Sequence, residues 1–314
     1  DMTPRVSRWA GAATLGTALL LTLSACAGTP QAAAPPAAAT ASTTETPPPP
    51  EPSATAATTT PSGPAEPMEL NVSHIHAAVR DPQTGELLLA THEGLYRQDG
   101  DALTQVGPVI DLMGFAVASD GTLYASGHPS AEAGLPEPVG LITSTDGGAT
   151  WQVASRGGES DFHALTVGPA TVVGFDGALR STTDRQTWST GNLNLPVIGL
   201  AASPETGTLL ATTQAGLLRS TDDATTWETL SPPEAAVLVA WADDETVVAL
   251  TVTGRLALSE DGGRTWTQGP QSIGQASTLW AERGANGVVE VIAVVDGTVI
   301  ATTDDGGSTQ ILAR

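Results

Sequence analysis

The chain has 314 residues, 40% of them apolar, and carries 34 acidic against 12 basic residues for a net charge of −22. Every basic residue is arginine, and a field this negative repels nucleic acid and anionic lipid head groups while attracting cations. The length allows one large or two medium domains, and the single cysteine, Cys26, rules out an intrachain disulfide.

Residues 1–26 read as an export signal. Arg5 and Arg8 form a charged start, and an apolar stretch over 12–23 is too short to favour a stable membrane span. The stretch ends in Leu23-Ser24-Ala25-Cys26, which resembles the bacterial lipobox. That resemblance implies lipidation of Cys26 and a mature N-terminus there, with an ordinary cleaved signal as the alternative. Residues 27–67 are Ala, Pro, Thr and Ser with almost no large apolar side chain, a composition that cannot form a core. They are expected to act as a tether, reaching on the order of 120 Å at about 3.1 Å per residue. The expected location is extracytoplasmic, on the membrane surface of a bacterial cell.

Residues 68–314 are organised by repetition. The stretch Ser144-Thr145-Asp146-Gly147-Gly148-Ala149-Thr150-Trp151 has the pattern S-x-D-x-G-x-T-W, called a box below, which recurs intact at 259–266 with Asp261, Gly263 and Trp266. Residues 220–227 keep Asp222 and Trp227 with Ala224 in place of the glycine. Residues 182–188 keep Asp184 and Trp188 but are one residue short, and 303–310 read as a worn copy on Asp305 and Gly307. Trp151, Trp188, Trp227 and Trp266 fall 37, 39 and 39 residues apart, a period that suits one four-stranded propeller blade per repeat. The aspartate accepts bonds from the following backbone, the glycine supplies positive φ, and Thr-Trp opens the next strand, so each box is a hairpin turn. The indole is expected to wedge between neighbouring blades.

A gapless alignment places inner strands at 74–79, 112–117, 162–167, 197–202, 238–243 and 277–282. After most of them come a second apolar run and a third that enters a box; in the first repeat the box is lost. The expected fold is all-β, a six-bladed propeller over 68–314, closed by residues 68–72 pairing with the last blade. Seven blades are the alternative, if the two ends build an extra unit.

The boxes resemble the Asp-box (BNR) repeat of sialidases, sortilin-type propellers and a photosystem II assembly factor. In those families the turns face away from the active site, which implies a structural role here, with a calcium loop at residues 304–307 as the minor alternative. The combination of His74-Ile75-His76, Asp111-Leu112-Met113-Gly114-Phe115, Ala125-Ser126-Gly127-His128-Pro129 and Asp161-Phe162-His163-Ala164-Leu165 with these boxes also resembles bacterial secreted proteins labelled glycosylhydrolase. The catalytic set of sialidases does not carry over. None of these inner-strand runs contains an arginine, Arg283 standing just past the end of the last, and Tyr96 and Tyr124 are the only tyrosines.

Chemistry is expected on the opposite face, where inner strands begin and second strands turn into third ones. All five histidines fall there, in the first three blades: His74 and His76, His92, His128 and His163. Two apart on a strand, His74 and His76 share a side and form a workable imidazole pair for zinc or copper, completed by a carboxylate or Met113. His163 aligns with Ile75 and is therefore expected to point away. Asp111 and Asp161 sit at strand entries, Glu93 and Asp176 at turns, and a long insertion over 127–140 overhangs the sector. Three functions remain open. The first is a lipid-anchored, monomeric binding propeller for a metal ion, glycan or envelope protein, its site formed by the five histidines with Asp111, Met113 and Asp161. The second is a glycoside hydrolase using two of Asp111, Asp161, Asp176 and Glu93, and the third an envelope assembly scaffold.

Overall fold

The computed structural model describes residues 66–314, and all regular structure among them is β. The export signal, Cys26 and nearly all of the tether lie outside the described residues. Twenty-four strands group in chain order into six four-stranded antiparallel sheets arranged as a ring of blades. The inner strands are Ile75–Arg80, Ile110–Val117, Ala164–Val167, Val197–Ala202, Ala236–Trp241 and Ala276–Arg283, each overlapping the run expected from sequence. There are six blades, not seven.

Second strands such as Leu87–Thr91, Leu209–Thr213 and Val247–Thr251 are buried at every residue. Both of their faces meet another blade, which is why these segments read as continuous apolar runs and not as alternations. The core is accordingly split into six clusters, each lying between two consecutive blades. Ring closure is made by one of these, in which Ile75, Ala78 and Leu89 of blade 1 pack on Ile292, Val294 and Val299 of blade 6. Met68 bridges Ala313 in parallel, so the segment entering blade 1 adds to the outer edge of the last blade and covers it.

The boxes occupy the turns between third and outer strands. In the first, Ser144 Oγ accepts from Gly148 N at 2.9 Å, while Asp146 accepts from Thr150 N at 2.9 Å and Thr150 Oγ1 at 2.6 Å. The same bonds recur around Asp222 and Asp261, and Asp184 binds Gln186 N and Thr187 N in its shorter turn. The last box corrects the sequence reading by one residue. Thr302 Oγ1 takes Gly306 N, and Asp304 takes Ser308 N and Ser308 Oγ, so Asp304 and Gly306 hold the places assigned to Asp305 and Gly307. The doublets Thr302-Thr303, Asp304-Asp305 and Gly306-Gly307 offer two registers, and serine substitutes for the box threonine only in the one adopted.

Each box tryptophan packs between its own blade and the preceding one. Trp188 stacks on Phe162 at 4.9 Å between ring centres and donates to Ser155 Oγ of blade 2 at 2.9 Å. Because strands alternate in direction, these turns lie at the opposite end of the blades from the inner-strand entries.

Strand pairing also revises the alignment of the inner strands. In blade 1, Ile75 pairs with Thr91 and Ala77 with Ala90, leaving His76 as an extra residue in a β-bulge. Blades 4, 5 and 6 have the same bulge at Ile198, Val237 and Ser277, and blade 2 has one between Asp111 and Gly114. Val167 pairs with Val172 as Arg80 pairs with Leu87, which sets His163 opposite the position of His76 and Phe162 opposite Ile75. The expectation that His163 matches Ile75 and points away is therefore wrong. Ile75 and Phe162 are the buried pair, and His163 is exposed. A gapless alignment slips because bulges and entry loops change length from blade to blade.

Candidate functional site

The inner strands surround a central cavity of about 690 Å³. At its mouth the bulge position of the blades carries, in order, His76, Met113, His163, Ile198, Val237 and Ser277. All of these but Val237 line the cavity. Two residues earlier in the first three blades stand His74, Asp111 and Asp161. The histidine sector thus has a simple origin: it consists of the entry and bulge positions of blades 1 to 3 and the turns beside them.

The five histidines divide into two groups, each built around one aspartate. In the first, His76 Nε2 lies 3.1 Å and His92 Nε2 3.8 Å from Asp111 Oδ1. One ligand atom from each of these three residues falls within 4.8 Å of the others, a spacing one cation can bridge. The His74 ring is 4.7 Å from that of His76 and 5.3 Å from that of His92, centre to centre, so three imidazoles and a carboxylate converge. Burial, reinforced by the neighbouring imidazoles, outweighs Asp111 and lowers the pKa of His76, which favours the neutral, ligating form. Behind the ring, Ser73 Oγ donates to Glu93 Oε1 at 2.6 Å and lies 3.4 Å from His92 Nδ1. A serine so engaged accepts the Nδ1 hydrogen and leaves Nε2 with its lone pair toward Asp111.

In the second group, Asp161 Oδ2 is 2.6 Å from His163 Nε2 and 3.2 Å from His128 Nε2. On its other side the His128 ring meets Glu137 Oε1 through Nδ1 at 2.5 Å. Glu137 belongs to the insertion of blade 2, whose Val139 is buried and whose backbone is tied to Gly127. The hydrogen bond to Glu137, helped by the charge of Asp161, raises the pKa of His128.

The remaining sequence candidates are placed differently. The Asp176 side chain is 7% exposed and accepts from Arg180 Nε at 2.8 Å and Ser160 Oγ at 2.6 Å; these bonds outweigh its burial and lower its pKa. It serves as a structural anion. For Glu93, likewise, burial is outweighed by the two hydrogen bonds from Ser73, which hold its pKa down. Met113 lines the cavity at the bulge position of blade 2. Ser73 and Glu137, which orient two of the imidazoles, were not among the residues singled out from sequence. Ser73 lies beside His92 in space and next to His74 in the chain, and Glu137 lies beside His128.

No protein-family model and no curated protein matches this chain. Among solved structures it is similar to YCF48 bound to a D1 peptide, at 16% identity and a TM-score of 0.52 over 80% of this chain and 85% of that one. It is also similar to an ancestral GH74 enzyme, at 13% identity and a TM-score of 0.50 over 79% of this chain and 38% of that one. A third is the extracellular domain of a hybrid two-component system from B. thetaiotaomicron, at 13% identity and a TM-score of 0.56 over 79% and 34%. The chain spans little more than a third of the latter two. At these identities what is shared is the propeller fold.

Proposed function

We propose that the protein is an extracytoplasmic, lipid-anchored binding propeller whose ligand is a divalent transition metal ion, held at the Asp111 cluster. The observation that carries this reading is the convergence of His74, His76 and His92 on Asp111, with ligand atoms of three of them within 4.8 Å. Imidazole nitrogen with one carboxylate oxygen is the donor set of zinc and copper(II) sites. Ser73 behind His92 supplies the orienting partner that such ligands ordinarily have, and the acidic chain raises the local concentration of cations. The hydrolase reading has less support. Asp176 is consumed by an ion pair and Glu93 by Ser73, while Asp111 and Asp161 each face imidazoles.

The test is calorimetric titration of Zn²⁺ and Cu²⁺ at pH 7.5. Micromolar binding by the wild type, abolished by His74→Ala with His76→Ala and weakened less by His92→Ala, is expected. Absence of heat with either metal would sink the metal reading and leave a glycan or protein ligand. The anchor is tested separately: Cys26→Ser is expected to release the protein from membranes or block its processing, and membrane retention of a processed mutant would exclude a lipid anchor.

A further inference from the structure

The histidine mouth is one end of the central cavity. The other end, on the side of the boxes, carries a pair of side chains with no counterpart in the other blades. Pairing of each inner strand with its second strand fixes the equivalent positions around the ring. Glu282, opposite Glu290, stands where the other blades have Val79, Ala116, Thr166, Ala201 and Ala240. Two residues earlier, Trp280 stands where they have Ala77, Gly114, Ala164, Gly199 and Leu238. Residues two apart on a strand share a side, so blade 6 alone sets an indole and a carboxylate together there. From Ser277 at the mouth to Glu282 the strand runs roughly 17 Å, at ~3.4 Å per residue.

Both side chains line the cavity, whose volume of about 690 Å³ is ample for a small ligand. Trp280 is half-buried, packed on the two apolar clusters that flank blade 1, and keeps part of its indole in the cavity. The nearest arginine is already engaged. Arg80 donates from Nε and Nη2 to the two oxygens of Glu290, at 2.9 and 2.7 Å, and from Nη1 to Gly85 O at 3.2 Å. Glu282 has no hydrogen bond or ion pair among the described residues, and Arg185, also on the cavity wall, acts on Asp120 and Tyr124 of blade 2. Like charges directly opposite on neighbouring strands repel, and one guanidinium neutralises one carboxylate, not two. Partial burial, then the charge of Glu290, raise the pKa of Glu282 against the pull of Arg80. This end of the cavity therefore holds an uncompensated acid beside an aromatic ring, in a chain of net charge −22.

From this placement we infer that Trp280 and Glu282 form a binding site for an alkylammonium ion at the box end of the central cavity. The carboxylate accepts from the ammonium hydrogens, while the indole covers the alkyl chain and its face attracts the positive charge. The ion supplies the charge that the Glu282–Glu290 pair lacks. A neutral sugar would leave that repulsion in place, and a hydrated inorganic cation would leave the indole without a partner. The site shares no residue with the Asp111 cluster and does not depend on metal binding there.

The test is calorimetric titration of the metal-free full chain with n-butylammonium at about 0.15 M salt, where distant exposed charges are screened. One equivalent is expected to bind. Glu282→Gln and Trp280→Ala should each weaken binding tenfold or more, and Trp280→Phe, which keeps an aromatic face, should weaken it less. Asp99→Asn, which removes an exposed charge from blade 1, should leave the affinity unchanged. Thermal melting of each variant checks the fold, and Glu282 is exposed, so Glu282→Gln tests the site without emptying a core position. Unchanged affinity in Glu282→Gln, an equal loss in Asp99→Asn, or no saturable binding would overturn the inference. Equal affinity for 1-butanol, or binding of methyl glucoside with the same sensitivity to both variants, would overturn it too, by showing a neutral ligand. None of these readouts depends on the outcome of the Zn²⁺ and Cu²⁺ titrations.

Discussion

One aspartate per box replaces backbone partners that the turn cannot supply, and its titration follows from that. Hydrogen bonds from Thr150 and from Thr265 to the carboxylates of Asp146 and Asp261 lower their pKa values to about 2. The unfolded value is about 3.9. A folded pKa below the unfolded one means stabilisation that is complete above about pH 5 and lost as pH falls through the unfolded value toward 2. The urea midpoint is expected to drop between about pH 5 and pH 2.5, and Asp146→Asn with Asp261→Asn should flatten that drop. The glycine of the box is set by space as well as by φ. Gly148 and Gly263 have φ of 92° and 90°, and a Cβ on them would meet Leu95 Cδ2 at 2.1 Å and Leu230 Cδ1 at 2.5 Å. Ala224 holds the same place in blade 4 at φ 63°, where its methyl lies beside Gly191, a residue with no side chain to meet it. Gly148→Ala and Gly263→Ala should each cost about 2–3 kcal/mol in urea denaturation, from strain and overpacking together.

The box as an element joins two blades, because its tryptophan reaches back to the one before. Trp151→Ala and Trp266→Ala are expected to destabilise the domain by ~3–5 kcal/mol each. Trp151, 8% exposed in the blade 1–2 cluster, should lie at the upper end, and Trp266, less buried, at the lower. Metal affinity per folded molecule should not change, since these turns are at the far end of the blades from His76. Loss of binding in a fully folded Trp266→Ala protein would overturn that separation of faces. The blades were legible in the sequence for the same physical reason that the boxes work: a turn needing an acceptor, a positive φ and a wedge leaves few substitutions open, so its period survives. Register within the inner strand was not legible. A bulge adds a residue without any signature in residue type, since histidine, methionine, isoleucine, valine and serine all fill it. For that reason His163 was misaligned while Trp188, in the same blade, was placed correctly.

At the scale of the whole molecule, the ring closes through the packing of blade 1 on blade 6, and the segment from Met68 to Leu70 is an addition to the edge of the last blade. Deleting residues 66–72 should leave a folded propeller, with a melting curve shifted by the loss of roughly 2–4 kcal/mol from the partly buried Met68, Leu70 and Val72. Loss of all cooperative unfolding would show that this segment is needed to hold the ring. The histidine sector was visible in the sequence because topology sends strand entries and alternate turns to one end. Its division in two was hidden, since the choice of Asp111 or Asp161 as partner is made across blades by residues dozens of positions apart. The bulges carry a further consequence. A residue outside the ladder can be exchanged without disturbing strand pairing, so the mouth of the cavity can be rewritten one blade at a time. In this chain imidazole and thioether occupy the three consecutive blades 1 to 3, and two aliphatic groups and a hydroxyl the other three. The scaffold has near six-fold symmetry while its opening has a ligating half and a largely greasy half, and a molecule settling there would be held in one orientation.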